Sequence, residues 1–232
     1  MKRKFVIAID GPAASGKSST AHWVAQRLDF RHVDSGALYR AATAARIRDM
    51  KSPDAGEWTE QTVLVAAKDR VRLVPTKHGF IPHIDGVEAE SEIRGQQVTR
   101  NVSAVARMQK VRDWVNEQVR NAAKSHSVVV DGRDIGTAVF PDADLKVFLV
   151  ADPWERARRR LVQQLERAPS DAEIAEETDR LVHRDAKDAQ QSGQAADAVL
   201  LDTTYLTQEE QVDRIVALAR AVTARPDDTS AG

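Results

Sequence analysis

The sequence predicts an α/β fold, a parallel sheet with helices on both faces. Three observations carry this. Short apolar runs recur along the chain, several of them, such as Val128–Val130, apolar on both sides rather than alternating, as buried parallel strands are. Each run ends at or near an acidic residue: Asp10, Asp34, Asp131, Asp152 and Asp202. Helical segments follow several of these runs, and strands alternating with helices build a sheet covered on both faces.

The first run is Phe5–Ile9, followed by a loop of small residues and a helix beginning near Lys17. Phe30–Val33, ending at Asp34, is the next strand. Lys51–Gly56, with Pro53 and Gly56, reads as a loop before the helix that leads to an insert. Within Val71–Val87 the pattern changes to short β-like pieces with turns at Lys77-His78-Gly79 and Asp85-Gly86. Asp-Gly between apolar residues is a strong hairpin signal, so a small antiparallel β insert is expected here. Val128–Val130 ends at Asp131. Leu145–Val150 ends near Asp152 and Pro153, and a charged helix follows. Ala198–Leu201 ends at Asp202, and Thr207–Ala224 is helical. The polar tail from Pro226 to Gly232 is expected to be disordered.

The 232 residues suffice for one domain carrying a smaller insert, with a core that needs no disulfide or metal staple. Net charge is −1, so no global field draws in a nucleic acid polymer. The absence of cysteine rules out disulfides, thiolate zinc sites and cysteine nucleophiles, and fits a reducing compartment. The basic start, Met1-Lys2-Arg3-Lys4, precedes an apolar stretch too short for a signal-peptide core. No run approaches a membrane span. A cytoplasmic monomer is expected.

Gly11-Pro12-Ala13-Ala14-Ser15-Gly16-Lys17-Ser18 matches G-x-x-x-x-G-K-[ST], between a strand and a helix, the setting this loop requires. Its glycines let successive N–H groups turn inward on phosphate oxygens, and the helix behind aims its positive dipole end at the same anion. Lys17 then meets the terminal phosphates, Ser18 offers its hydroxyl to Mg²⁺, and Ser19 completes the ATP-binding segment. The loop is not G-x-G-x-x-G, which disfavours a dinucleotide. No Asn-Lys-x-Asp guanine-reading motif is present, and the chain is short for a motor or transporter ATPase. A small kinase is the best remaining reading.

Other clusters fall at strand ends, where a parallel sheet places its ligands. Asp34-Ser35-Gly36 precedes Tyr39 and Arg40; Asp34 or Ser35 can serve as a helix cap, whereas Arg40 offers a fork for an acceptor phosphate. Asp131 can orient a Mg²⁺-bound water, with Arg133 and Asp134 projecting into the cleft; the bland reading is a charged turn. Arg156, Arg158, Arg159 and Arg160 crowd one helical stretch, with Arg156 and Arg160 on one face. With Arg184 and Lys187 they are candidates to close over transferring phosphates, although such a run is more often a solvated face. The six histidines show no metal-ligand spacing and read as surface or packing residues.

Taken together, these motifs resemble the bacterial cytidylate kinase family from Val6 to about Ala219. The marks are Ile9-Asp10-Gly11-Pro12 through Lys17-Ser18, Asp34-Ser35-Gly36-Ala37-Leu38-Tyr39-Arg40, Ser91-Glu92-Ile93-Arg94, Asp131-Gly132-Arg133-Asp134-Ile135-Gly136-Thr137, Val139-Phe140-Pro141-Asp142-Ala143, Arg184-Asp185 with Asp188, and Leu201-Asp202-Thr203-Thr204. The resemblance implies a P-loop nucleoside monophosphate kinase fold: a five-stranded parallel sheet flanked by helices, a small antiparallel β insert and a helical, arginine-rich lid. The kinase core would cover 1–66 and 104–232, with the lid at about 156–190, and the acceptor-binding insert 67–103. It implies ATP with Mg²⁺, and CMP or dCMP as acceptor. Lys17, Arg133, Arg156, Arg159 and Arg160 would act on the phosphates. Ser35, Arg40, Ser103, Arg112, Asp134, Arg184 and Asp188 would hold CMP, with Ser103, Arg112 and Asp134 near the cytosine and Arg184 and Asp188 near the sugar and phosphate.

One stretch departs from the family pattern. Gln191 stands at the spacing of a second arginine, Ser192-Gly193 follows, and the segment before Asp197 looks shortened. Two rival readings therefore stay open: a kinase of the same fold acting on UMP or another small acceptor, and a catalytically weak nucleotide-binding regulatory module.

Overall fold

A computed structural model describes residues 4–50, 58–165, 167–188 and 193–224. The expected loop at Lys51–Gly56, the Gln191 departure and the polar tail lie outside the described residues.

Five strands form one parallel sheet: β1 (Val6–Asp10), β2 (Arg31–Asp34), β6 (Val128–Asp131), β7 (Leu145–Val150) and β8 (Val199–Asp202), in the order β2-β6-β1-β7-β8. These are the five runs read from the sequence, each within a residue or two of its expected bounds. The reason is composition: Val128, Val129 and Val130 are wholly buried, as are Ile7, Ala8 and Ile9, because helices cover both faces. On one face Ala8, Val33, Val128 and Val130 pack with α2 (Ser35–Asp49), α3 (Glu60–Ala67) and α5 (Gln109–Ala123). On the other, Ile7, Ile9, Val129 and Leu149 pack with α1 (Lys17–Leu28) and α8 (Gln208–Thr223).

The insert is a three-stranded antiparallel sheet, β3 (Val71–Pro75), β4 (Phe80–Ile84) and β5 (Val87–Glu88), in the order β3-β4-β5. A 3₁₀ turn at Glu92–Arg94 and α4 (Gln96–Val105) connect it to α5. The remaining helices, α6 (Pro153–Leu165) and α7 (Asp171–Asp188), pack on each other through Ala157, Leu161, Ile174 and Leu181, with Ala13 of the phosphate loop in the same cluster. That contact seats the arginine-bearing helices over the loop.

Asp85 fastens the insert to the core. It occupies the left-handed position of the β4–β5 turn, at φ 57. It accepts hydrogen bonds from Arg70 Nε at 2.7 Å and Arg48 Nη1 at 2.8 Å. Hydrogen bonding to Arg70 and then Arg48 holds its carboxyl down at about 2. A depressed carboxylate contributes stability that is present above its ordinary value of 3.8 and lost as pH falls from there toward 2. Asp85→Asn tolerates the left-handed turn and removes the titrating charge. Below about pH 4 its thermal midpoint is expected to fall less steeply than that of the wild type. Parallel pH profiles for the two proteins would contradict this role.

Candidate active site

The turn between β1 and α1 lies at the carboxyl end of the sheet, where neighbouring strands run to either side of β1. Gly11 makes the turn possible. A Cβ there would lie 2.2 Å from the Leu149 carbonyl oxygen, and its φ is +148°. Gly16 takes φ +87° and no side chain caps α1, so the first-turn N–H groups face the loop. Lys17 is buried, and its ammonium donates across the loop to the Pro12 carbonyl at 2.5 Å. Burial, then the charge of Arg133, pushes the Lys17 pKa well below its ordinary value. A buried ammonium beside a guanidinium is a site that gains from a bound anion.

Asp131, at the end of β6, is the hub of the polar network. One carboxylate oxygen accepts from Ser18 Oγ at 2.5 Å and the other from His32 Nε2 at 2.7 Å. Burial alone would raise this carboxyl; His32, Ser18 and Lys17 outweigh it and hold it below its ordinary value. Asp34 stands level with Asp131 in the β2–β6 register, and burial together with the Asp131 charge raises it. Asp34 also caps α2 by accepting from the Ala37 N–H at 3.0 Å.

A cleft opens from the loop toward α4 and α5. Every expected acceptor-site residue lines it: Ser35, Arg40, Ser103, Arg112, Asp134, Arg184 and Asp188, with Arg133 and Arg160. Arg112 bonds the Asp134 carboxylate and donates to the Ala106 carbonyl at 3.1 Å. Burial raises the Asp134 carboxyl above its ordinary value, against the opposing pull of Arg112. Arg40 donates to the Ile93 carbonyl at 3.2 Å and to Thr99 Oγ1 at 3.1 Å. Ser35 Oγ donates to the Asp131 carbonyl at 2.7 Å. Arg133 and Arg184 share Asp188, with Nε to carboxylate distances of 3.7 and 3.8 Å. Their buried Nε atoms lack a hydrogen-bonding partner, and burial followed by the Arg184 charge depresses Arg133. Cations therefore outnumber their anions here, which is the arrangement an anionic ligand completes.

A second cleft adjoins the first at the loop, sharing Lys17, Ser18, Arg40 and Arg94 with it. It is lined by Ala14, Ser15, Gly16, Ser19 and Leu206, and by Arg159, Gln208 and Gln211. Ser19 Oγ contributes to its wall through the Gly16 carbonyl and Gln208, both at 2.9 Å.

Arg156 and Arg159 are both engaged by the protein itself. Arg156 is buried and donates to the Ala13 carbonyl at 2.8 Å and to Asp185 at 2.6 Å, while Asp185 accepts from the Ala13 N–H at 3.1 Å. Asp185 matches its charge, and through Ala13 it braces the loop. Arg159 is spent on the Thr203 and Thr204 carbonyls, at 2.6 and 2.8 Å. Arg160, by contrast, lines both clefts while pairing with Glu177 at 2.9 Å. Arg158 pairs with Glu155, and Lys187 is exposed.

His32, Asp10 and Asp185 were missed as contributors to the site. Asp10 is buried and accepts from the Ile135 and Gly136 N–H groups, both at 2.8 Å, which locks the turn after Asp134. Burial raises it to about 6. His32 was readable only as a polar residue within a short strand.

The model of the family described as cytidylate kinase matches residues 7–221. The chain belongs to the cytidylate kinase family. A cytidylate kinase of Geobacillus kaustophilus is 42% identical over 224 residues, 94% of this chain and 97% of the relative. One of Chloroherpeton thalassium is 40% identical, covering 96% of both chains. One of Desulfitobacterium hafniense is 42% identical, covering 94% of both. The family match spans both clefts and every expected site residue. Among the described residues no helix is long and apolar enough to cross a membrane.

Proposed function

We propose that this chain transfers the γ-phosphate of ATP to CMP or dCMP, as a cytoplasmic enzyme whose α6–α7 region acts as the lid. The carrying observation is the pairing of an uncapped P-loop with a cation-rich cleft lined by the Arg112–Asp134 pair. The loop and its flanking cleft take ATP, with Lys17 against the terminal phosphates. Arg40, Arg133 and Arg184 take the acceptor phosphate, Asp188 the sugar side, and Ser103, Arg112 and Asp134 the base. Cytosine carries an N4 amino donor that suits a carboxylate acceptor, and its ring acceptors suit Arg112.

Ser18 and Asp131 fit magnesium. Both offer oxygen, the preferred donor, and magnesium is commonly held by one or two protein groups plus phosphates and water. When bound, magnesium neutralises phosphate charge. Ser18 would supply a direct ligand and Asp131 would act through water.

The acceptor phosphate is already an anionic nucleophile, so no strong base is needed. Catalysis then consists of alignment and charge stabilisation by Lys17, Arg133 and Arg160. Arg156 and Asp185 hold the loop against the lid, and lid closure excludes the water that would otherwise hydrolyse ATP.

A coupled ADP-release assay with CMP, dCMP, UMP and AMP tests this reading; CMP and dCMP are expected to give the highest kcat/KM. Preference for another acceptor, or ATP binding with no acceptor-dependent release, would contradict it. Arg40→Ala and Arg184→Ala are expected to raise the KM for CMP while the KM for ATP changes little. Each loses charge-assisted hydrogen bonds of roughly 1.5–3 kcal/mol. Unchanged CMP kinetics in both would remove the acceptor phosphate from this end of the cleft.

A further inference from the structure

We propose that His32 is a positioning residue for the donor site: it holds the Asp131 carboxylate in the orientation that turns the Ser18 hydroxyl toward the metal-bearing phosphates of ATP. The inference rests on the phosphoryl-transfer reading above and concerns a residue to which that reading gives no part.

The chain of contacts is short. His32 Nε2 donates to one oxygen of Asp131 at 2.7 Å, and Ser18 Oγ donates to the other at 2.5 Å. A hydroxyl has one hydrogen and two acceptor lone pairs. With its hydrogen committed to Asp131, Ser18 presents only lone pairs to the loop, as a magnesium ligand must. The direction of that hydrogen depends on how the carboxylate is turned, and His32 restrains it from the opposite side.

His32 is itself held firmly. Its strand pairs with β6, placing it level with Val129, two residues before the level of Asp131. Its N–H donates to the His78 carbonyl of the insert hairpin at 3.0 Å, and it bridges to Gly79. The His22 ring of α1 stands edge-on to the imidazole, with centroids 5.9 Å apart. Both partners are shielded, the His32 side chain being 14% exposed and that of Asp131 4%. A buried carboxylate deprived of one of two donors re-orients toward what remains. Ser18 remains as its hydrogen-bond donor and Lys17 draws on it by charge, and both belong to the phosphate loop. Groups that orient metal ligands in this way commonly govern metal affinity or activity by about 10–100-fold.

The test uses the full chain and three variants. His32→Phe keeps a ring and removes the donor, His32→Gln keeps an amide donor of similar reach, and His32→Asn carries a donor that is too short. ATP binding is measured by calorimetry with and without Mg²⁺, alongside the kinetics with CMP. In His32→Phe, affinity for ATP alone is expected to stay within about twofold, while the gain on adding Mg²⁺ falls by about tenfold. kcat falls by a similar factor and the KM for CMP stays unchanged. His32→Gln should recover most of the loss, and His32→Asn should not. An unchanged Mg²⁺ gain in a folded His32→Phe would overturn the proposal, as would equal weakening with and without Mg²⁺. If His32→Phe does not fold, the contrast between His32→Gln and His32→Asn decides, and equal behaviour of those two overturns it. Failure of the wild type to phosphorylate CMP would strike the functional reading instead and is seen separately.

Discussion

Lys17→Ala is expected to lower kcat for CMP-dependent ADP formation by about 10²–10³-fold, the range found when a preorganised donor to developing charge is removed. The protein should remain folded. The Lys17 ammonium is buried, and burial with the Arg133 charge outweighs the opposing pull of Asp131 and Asp10 and disfavours its charged form. Without phosphates, that charge opposes folding more than it supports it. Its removal should therefore leave the thermal midpoint unchanged or raise it, while ATP no longer protects the protein as strongly against heat. Activity and stability move apart here because the lysine answers to a ligand and not to the core. Normal turnover in a folded Lys17→Ala protein would displace the donor site from this loop.

Asp134→Asn is the second large effect. The carboxylate lines the cleft proposed for the acceptor, bonded to Arg112 and followed by the turn that Asp10 locks. A carboxylate accepts from the N4 amino group of cytosine and repels the O4 acceptor of uracil. An amide can turn either face outward. kcat/KM for CMP is thus expected to fall by about 10–100-fold, some 1.4–2.8 kcal/mol. That for UMP should hold or rise, so the ratio between the two narrows. A preserved CMP/UMP ratio would place base recognition elsewhere in the cleft.

Much of this was legible in the chain itself. The five parallel strands follow from runs such as Val128–Val130, whose burial on both faces leaves little else for them to form. The P-loop was legible because its glycines answer a local demand, a left-handed turn pressed against the Leu149 carbonyl. The antiparallel insert was legible from Asp85-Gly86. Arg156 and Arg159 were harder. A run of arginines on one helix shows how many cations are present, but which of them are already matched depends on Asp185, Ala13, Thr203 and Thr204, all distant in sequence. His32 was hidden for a related reason. A single histidine in a strand acquires its meaning from Asp131, 99 residues away, once β2 and β6 are side by side.

Following the labelled phosphate tests the transfer most directly. Purified protein is incubated with CMP, Mg²⁺ and ATP labelled at the γ-position, and the labelled product is identified. The label is expected to appear in the β-phosphate of CDP, in proportion to the unlabelled ADP formed. Label retained in ATP or released as inorganic phosphate, with CMP recovered unchanged, would contradict the account.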